Sequence, residues 1–180
     1  MTPEPVTAYL DGGIMSTPLE PGPLLDGAPL ATLDVEHVFD LRVDLEDPLV
    51  FPTAGGTRLT YIVRHGALDG PRVRGELLGG GGDWVVLGAD GVGRMDVRAT
   101  IRTDDGVLIH YASRGVAKLP ATGRDTVAAG GRIPYESSYI RSTPRLETTD
   151  ERYAWLAGLV LVAVSEFSAG HIDHRVYGVR

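Results

Sequence analysis

The sequence predicts an all-β fold, a single antiparallel β-barrel, from three features. Glycine and proline are dense, with 24 Gly and 12 Pro in 180 residues, a composition that interrupts helices and favours short strands joined by turns. Apolar and polar residues alternate through much of the chain after residue 33, and turn signals recur at short spacing. Eight or nine strands are expected, and closing them into a barrel removes the sheet edges. A β-sandwich is the alternative.

Residues 1–33 differ from the rest, because they carry six of the prolines and show no sustained period of 2 or 3.6. We interpret them as an irregular N-terminal arm, either a loose tail or a segment packed on the body or on a second subunit. Residues 34–180 form the predicted barrel domain.

Two segments without strand character interrupt the series of predicted strands. Residues 119–131 read as a polar loop with room for one helical turn, and Thr148–Ala157 reads as a short capped helix. HGALDGP, after the second strand, reads as a turn, and Asp104-Asp105-Gly106 gives a strong hairpin signal. The predicted strands are Val35–Val43, Arg58–Arg64, Arg72–Leu78, Asp83–Leu87, Arg94–Arg102, Val107–Lys118, Tyr139–Glu147, Leu159–Phe167 and Ile172–Val179.

Composition limits the partners. The formal net charge is −7 and the isoelectric point about 5.1, without a Lys/Arg block, so neither nucleic acid nor an anionic membrane surface is an expected partner. The absence of cysteine suits a reducing cytoplasm. The start of the chain lacks a secretory signal pattern, and the longest apolar run, Leu159–Val164, is too short to span a bilayer. We expect a small-molecule ligand, and we leave open a homodimer or higher homo-oligomer.

Three motifs together carry a family resemblance. GALDGPRVRGELLGGGGDW, the hairpin MDVRATIRTDDGVLIHYASRG, and YIRSTPRLET followed by RYAWLAGLVLVAV resemble the bacterial and fungal family called domain of unknown function 3237, or UPF0311. The resemblance covers about Val35 to Val179. It implies a calycin-like antiparallel barrel and leaves the biochemical role open.

Tyr139, Arg141 and Glu147 are the candidate catalytic residues. Tyr139 and Arg141 share one face of a strand at period 2, and Pro144 is a place where the register before Glu147 could reset. An arginine beside a glutamate can orient an acid or bind a carbonyl or carboxylate, while tyrosine donates a proton. The alternative is a structural salt bridge that plugs one end of the barrel.

Asp83 and Trp84 are candidate ligand-binding residues because they follow four glycines. A mobile loop at the barrel mouth would then carry an acid and an aromatic wall. The alternative is a hairpin loop with Trp84 anchored in the core. The glycines are not a phosphate loop, since no GK[ST] and no helix follows.

The polar face of the next strand, with its partner strand, supplies further candidate ligand-binding residues. Polar groups inside a small barrel can share a pocket across neighbouring strands, although a solvated outer face is the usual alternative. An aromatic wall from the segment after the seventh strand completes the set. These residues are Asp96, Arg98, Tyr111, Arg114 and Trp155.

We expect no metal and no organic cofactor. In an extended HIDH segment His171 and Asp173 share one face while His174 points to the other, so these side chains do not converge on one ion. Neither a nucleotide fingerprint nor a G-x-S-x-G motif is present.

Three functions remain open from sequence. The first is a cofactor-free cyclase, isomerase or lyase that handles a small, mostly apolar molecule by acid–base chemistry. The second is a non-catalytic binding barrel for a similar ligand. The third is a structural or assembly role of the N-terminal arm.

Overall fold

A computed structural model describes residues 32–180, so nearly all of the predicted arm lies outside the described residues. In these residues the chain forms eleven strands, one short α-helix, α1, and one 3-10 helix (Ala154–Gly158). The strands are β1 (Val35–Leu45), β2 (Leu49–Thr53), β3 (Gly56–Asp69), β4 (Arg74–Leu77), β5 (Gly82–Leu87), β6 (Gly93–Thr103), β7 (Leu108–Lys118), β8 (Arg132–Ile133), β9 (Tyr139–Glu147), β10 (Leu161–Ser168) and β11 (His171–Val179); α1 is Gly123–Ala128.

The sheet is antiparallel and closes on itself because β1 pairs with both β11 and β3. β4 and β5 lie one after the other between β3 and β6, and each of them pairs with both of these strands. The ring therefore has eight strand positions, in the order β1, β11, β10, β9, β7, β6, β4 with β5, and β3. This confirms the predicted closed antiparallel barrel.

Several predicted boundaries are wrong. The β3 strand continues through the predicted turn at His65 and ends at Asp69, because residues 65–69 still pair with β1 and β4. The predicted helix at Thr148–Ala157 is a turn followed by the 3-10 helix. The short strands β2 and β8 carry too little pattern to be recognised. The helical turn expected in the loop after β7 is confirmed as α1.

Alternation along each strand separates an apolar inside from a polar outside. In β6 the side chains of Met95, Ala99 and Ile101 are buried, whereas Arg94 and Arg102 are exposed. One end of the barrel is filled by a large apolar cluster that includes Phe39, Ile101, Ile109, Leu146, Leu156 and Val176. The other half contains a smaller cluster of Val85, Met95 and Ile140, and there the interior is left open.

The glycine run is a bulge in the barrel wall. Leu78 N donates to Thr100 O at 2.8 Å and Gly80 N to Val63 O at 3.1 Å, so this piece of chain stays bonded to both neighbouring strands. Gly80 has φ +90°, a conformation that favours glycine. The expectation of a mobile loop at the barrel mouth is therefore wrong. The bulge joins β4 to β5 and so fixes the direction in which the residues of β5 point.

No helix in residues 32–180 is long and apolar enough to cross a membrane.

We expect Gly81→Ala to destabilise the barrel by about 1–3 kcal/mol, the usual cost of overpacking. A Cβ there would lie 2.7 Å from Arg98 O and 2.9 Å from both Cα and Cβ of Ala99, and backbone cannot give way easily. Urea denaturation measures the change. The matched control is Gly55→Ala, where a Cβ meets nothing within 4 Å. Equal unfolding midpoints for the two variants would show that the bulge is not tightly packed.

Candidate functional site

The open half of the barrel holds a cavity of about 560 Å³. This volume lies in the range of small-molecule sites, roughly 300–1,000 Å³. Most of its wall is formed by apolar side chains, among them Leu59, Val85, Met95, Ile140, Phe167 and Ile172. Leu119, Pro120, Ala121, Arg124 and Asp125, in and before α1, also contribute to its lining. An apolar molecule therefore has a place to bind, and the few polar groups in the wall decide its orientation.

Asp83 is the acid in the cavity wall. It lies directly opposite Tyr61 on β3 and Val97 on β6, and its Oδ1 accepts a hydrogen bond from the Asp96 backbone N–H at 3.0 Å. Burial raises the pKa of Asp83 to about 6; the charge of Asp96 adds to the rise, and the hydrogen bond from the Asp96 N–H opposes it. Asp83 can therefore exchange a proton close to neutral pH.

Two tyrosines lie near this acid. Tyr61 is its cross-strand neighbour, and burial together with the charge of Asp83 raises the pKa of the Tyr61 phenol. Tyr111 on β7 is fully buried and lines the same cavity, and burial raises its pKa to about 12. Both phenols are therefore protonated at neutral pH and are available as hydrogen-bond donors.

Ser113 lies two residues beyond Tyr111 on the same face of β7. Its hydroxyl is close enough to oppose the rise in the Tyr111 pKa, but no hydrogen bond of good geometry joins the two side chains. Ser113 is 3% exposed. Among residues 32–180, its Oγ is the one buried side-chain polar atom that has no hydrogen-bond partner.

His174 on β11 is a second group that can carry a proton. It also lines the cavity, and its Nδ1 lies 2.8 Å from Oγ of the buried Ser165. Burial lowers the pKa of His174 to about 4, although the charge of Asp173 opposes the change. The imidazole is therefore neutral at pH 7. Asp83 and His174 lie three positions apart in the ring of eight, so they face the cavity from different sides.

Of the residues predicted from sequence, Asp83 and Tyr111 line the cavity and the other ligand-binding candidates do not. Trp84 points outward and is 42% exposed. It therefore neither forms an aromatic wall of the cavity nor anchors a loop in the core. Asp96, Arg98 and Arg114 form an ion cluster on the outer face, with Arg114 Nε 3.6 Å from Asp96 Oδ1.

Trp155 belongs to the 3-10 helix and packs against the apolar cluster that fills the barrel. The Arg72 guanidinium lies 3.7 Å from its ring centroid. This is a structural contact away from the cavity lining.

The candidate catalytic residues lie on the outer face of β9. Every second residue of β9, from Ile140 to Leu146, is buried, which turns Tyr139, Arg141 and Glu147 outward. The register with β7 runs unbroken through Pro144, so no reset occurs. The expectation that the three line the cavity is therefore wrong, while their catalytic assignment itself stays a prediction.

Arg141 and Glu147 also do not pair with each other. Arg141 lies over the Tyr139 ring at 5.1 Å and donates to Ile140 O, whereas Glu147 lies 3.6 Å from Arg145. An exposed ion pair such as that of Glu147 with Arg145 contributes little to stability.

Sequence reasoning missed Tyr61, Ser113, Ser142 and His174 as cavity residues. Alternation did contain a signal for His174, because it lies between the apolar Ile172 and Val176 at period 2. No comparable local signal marks Ser113, since its neighbours on the same face are Tyr111 and Gly115.

Fold and cavity together define an antiparallel β-barrel protein with an internal pocket. The chain belongs to the family described as protein of unknown function DUF3237, whose family model matches residues 33–179. This confirms the resemblance found in the sequence.

Three similar proteins illustrate the family and the fold. A UPF0311 protein of Clostridium acetobutylicum is 25% identical over 140 residues, 77% of this chain and 89% of that protein. The crystal structure of a conserved protein of unknown function from Rhodopseudomonas palustris has a TM-score of 0.78 at 22% identity, covering 84% of this chain and all of that one. A crystal structure described as an enzyme from Penicillium herquei has a TM-score of 0.61 at 17% identity, covering 86% and 99% of the two chains. At these identities the solved structures show the fold alone.

We expect Arg141→Ala and Glu147→Gln to remain folded and to bind ligand as the wild type does, because both side chains lie outside the cavity. The assignment made from sequence predicts instead a loss of at least about tenfold, or ~1.4 kcal/mol. Titration of an apolar fluorescent probe separates the two. A tenfold loss of probe affinity in both folded variants would show that Arg141 and Glu147 take part in ligand binding.

The pKa values of Asp83 and His174 predict opposite effects of pH on stability. Asp83 has a raised pKa, so its ionisation costs stability as the pH rises from 3.8 to about 6. His174 has a lowered pKa, so stability is gained as the pH rises from about 4 to 6.5. Each contribution is about 3 kcal/mol at most, and in the wild type the two largely cancel.

Asp83→Asn should therefore be more stable than the wild type above about pH 6, with the advantage lost below about pH 4. Its free energy of unfolding should rise steeply with pH between about 4 and 6.5, because only the His174 contribution remains. Urea denaturation over this range checks both points. A variant less stable than the wild type at neutral pH would show that Asp83 is well solvated or well paired.

Proposed function

We propose that this protein is a cofactor-independent enzyme that acts on a small, mostly apolar molecule, of aromatic or polyketide-like character, inside the barrel. The reaction class is an acid–base cyclisation, isomerisation or elimination. The observation that carries the proposal is the Asp83 carboxyl group in an apolar cavity, with its pKa raised to about 6 by burial.

A proton-transfer catalyst works best when its pKa lies near the operating pH. At neutral pH most Asp83 is ionised, and a carboxylate short of water is a stronger base than a solvated one. It would accept a proton from a C–H or O–H group of the ligand. The Asp83 carboxylic acid formed in this way would return the proton to another atom of the ligand, so a cyclisation or isomerisation leaves the composition of the ligand unchanged and restores the carboxylate.

The Penicillium herquei structure supports this class of function in a limited way. A protein of that fold is described as an enzyme, so the barrel is compatible with catalysis. The reaction and the residues remain our proposal, since fold does not determine chemistry.

A non-catalytic binding barrel is the alternative, and the apolar lining favours it equally. Such a protein would bind the same ligand and leave it unchanged. We also propose that the protein works in the cytoplasm, because a chain without cysteine suits a reducing compartment.

The test is conversion of a panel of phenolic and polyketide-like compounds, followed by mass spectrometry for products of unchanged mass or for elimination fragments. We expect kcat of Asp83→Asn to fall by at least about 100-fold, the lower limit of a general base contribution, while ligand affinity changes little. In the wild type kcat/KM should rise with pH through about 6, because the free carboxylate is the active form.

The control is Asp104→Asn, an exposed carboxyl group in the turn between β6 and β7, which should keep the wild-type rate. Binding without conversion in the wild type would support the alternative. Unchanged turnover in Asp83→Asn would remove Asp83 from the mechanism.

A further inference from the structure

The orphan hydroxyl of Ser113 is the least explained polar group in the barrel. A buried hydroxyl without a partner costs free energy, so one that persists normally has a partner in another state of the protein. Ser113 lines the cavity. It pairs with Val97 on β6, and on the other side of β6 Val97 pairs with Asp83 of β5. Ser113 and Asp83 thus lie in one row of the wall, with one strand between them.

This row sets a geometry for a bound molecule. Neighbouring strands are about 4.8 Å apart, so the two Cα atoms are roughly 10 Å apart along the curved wall. A ligand oxygen bound at Ser113 would therefore leave a different part of the same molecule near Asp83.

Charge sets a second condition. Among the described residues that line the cavity, Arg124 of α1 is the one Lys or Arg side chain, and it is exposed. The deeper wall offers Asp83, phenols, hydroxyls and a neutral imidazole. A carboxylate placed there would meet the negative charge of Asp83 without a cation beside it.

We propose that Ser113 Oγ is the binding point for a hydroxyl or carbonyl oxygen of an uncharged, mostly apolar ligand, and that the cavity rejects carboxylates of the same shape. This deepens the proposed function and rests on it for the identity of the site, but it concerns binding and does not require turnover. Ser113 positions the ligand and Asp83 handles the proton.

Three probes of one shape test this: naphthalene, 2-naphthol and 2-naphthoate. Their affinities are measured by calorimetry at about pH 7.5, where the carboxyl group of the third probe is ionised. The proteins are the wild type, Ser113→Ala, and the control Ser137→Ala, an exposed serine that donates to Pro134 O.

We expect the wild type to bind 2-naphthol about three to ten times more tightly than naphthalene, the ratio that one net hydrogen bond gives. Ser113→Ala should lose this preference while its affinity for naphthalene stays within about twofold. 2-Naphthoate should bind at least about tenfold more weakly than 2-naphthol. Ser137→Ala should match the wild type throughout.

The stability of Ser113→Ala without ligand distinguishes ligand binding by Ser113 from a structural role, because the two predict changes of opposite sign. Without ligand, Ser113→Ala should be at least as stable as the wild type in urea, because the variant removes an unpaired buried hydroxyl. A clear loss of stability would overturn the proposal by showing that the hydroxyl is satisfied within the protein.

The remaining outcomes are also decisive. A preference for 2-naphthol that survives in Ser113→Ala, or equal binding of 2-naphthoate, overturns the proposal and leaves the cavity as a binding site. Failure of all three probes to bind the wild type overturns it together with the binding role of the cavity. Tight, Ser113-dependent binding without any turnover confirms it and counts against catalysis only.

Discussion

The pairing of β1 with both β11 and β3 closes the sheet, and this closure decides what every other residue can do. A closed ring has no free edge among its eight positions, so each strand has one face inside and one outside. A side chain reaches the cavity only if its position in the two-residue period points inward. The bulge at the glycine run is part of this constraint, because it joins β4 to β5 within one position and directs Asp83 inward.

The interior that results is apolar and contains few polar groups, which changes their chemistry. Asp83 and His174 are both shifted towards their neutral forms by burial, the acid upward and the base downward. Asp83 therefore exchanges a proton close to neutral pH, whereas His174 stays uncharged there. The Ser113 hydroxyl remains unpaired in the same cavity. Natural proteins often accept such a cost in stability at a functional site.

Sequence predicted the closed barrel and most strand limits because alternation and turn residues are local signals. It also gave Asp83 and Tyr111 as candidate ligand-binding residues, and both line the cavity. The candidate catalytic set failed for a physical reason: Ile140 and Leu146 already mark the inner face of β9, so the polar residues between them face solvent. Asp83 is harder to assign, since DWVVL has apolar residues on both faces and the bulge before it depends on bonds to Val63 and Thr100. Which serine lacks a partner is a property of packing across three strands and has no local signature.

The chemistry of the site depends on Asp83 being a desolvated acid with a pKa near neutral. The most direct measurement is an NMR titration of its side-chain carboxyl carbon, identified by the loss of its signal in Asp83→Asn. The structure predicts a midpoint near pH 6. A midpoint near the ordinary aspartate value of about 3.9 would show that the cavity solvates this group, and would contradict the account of the site.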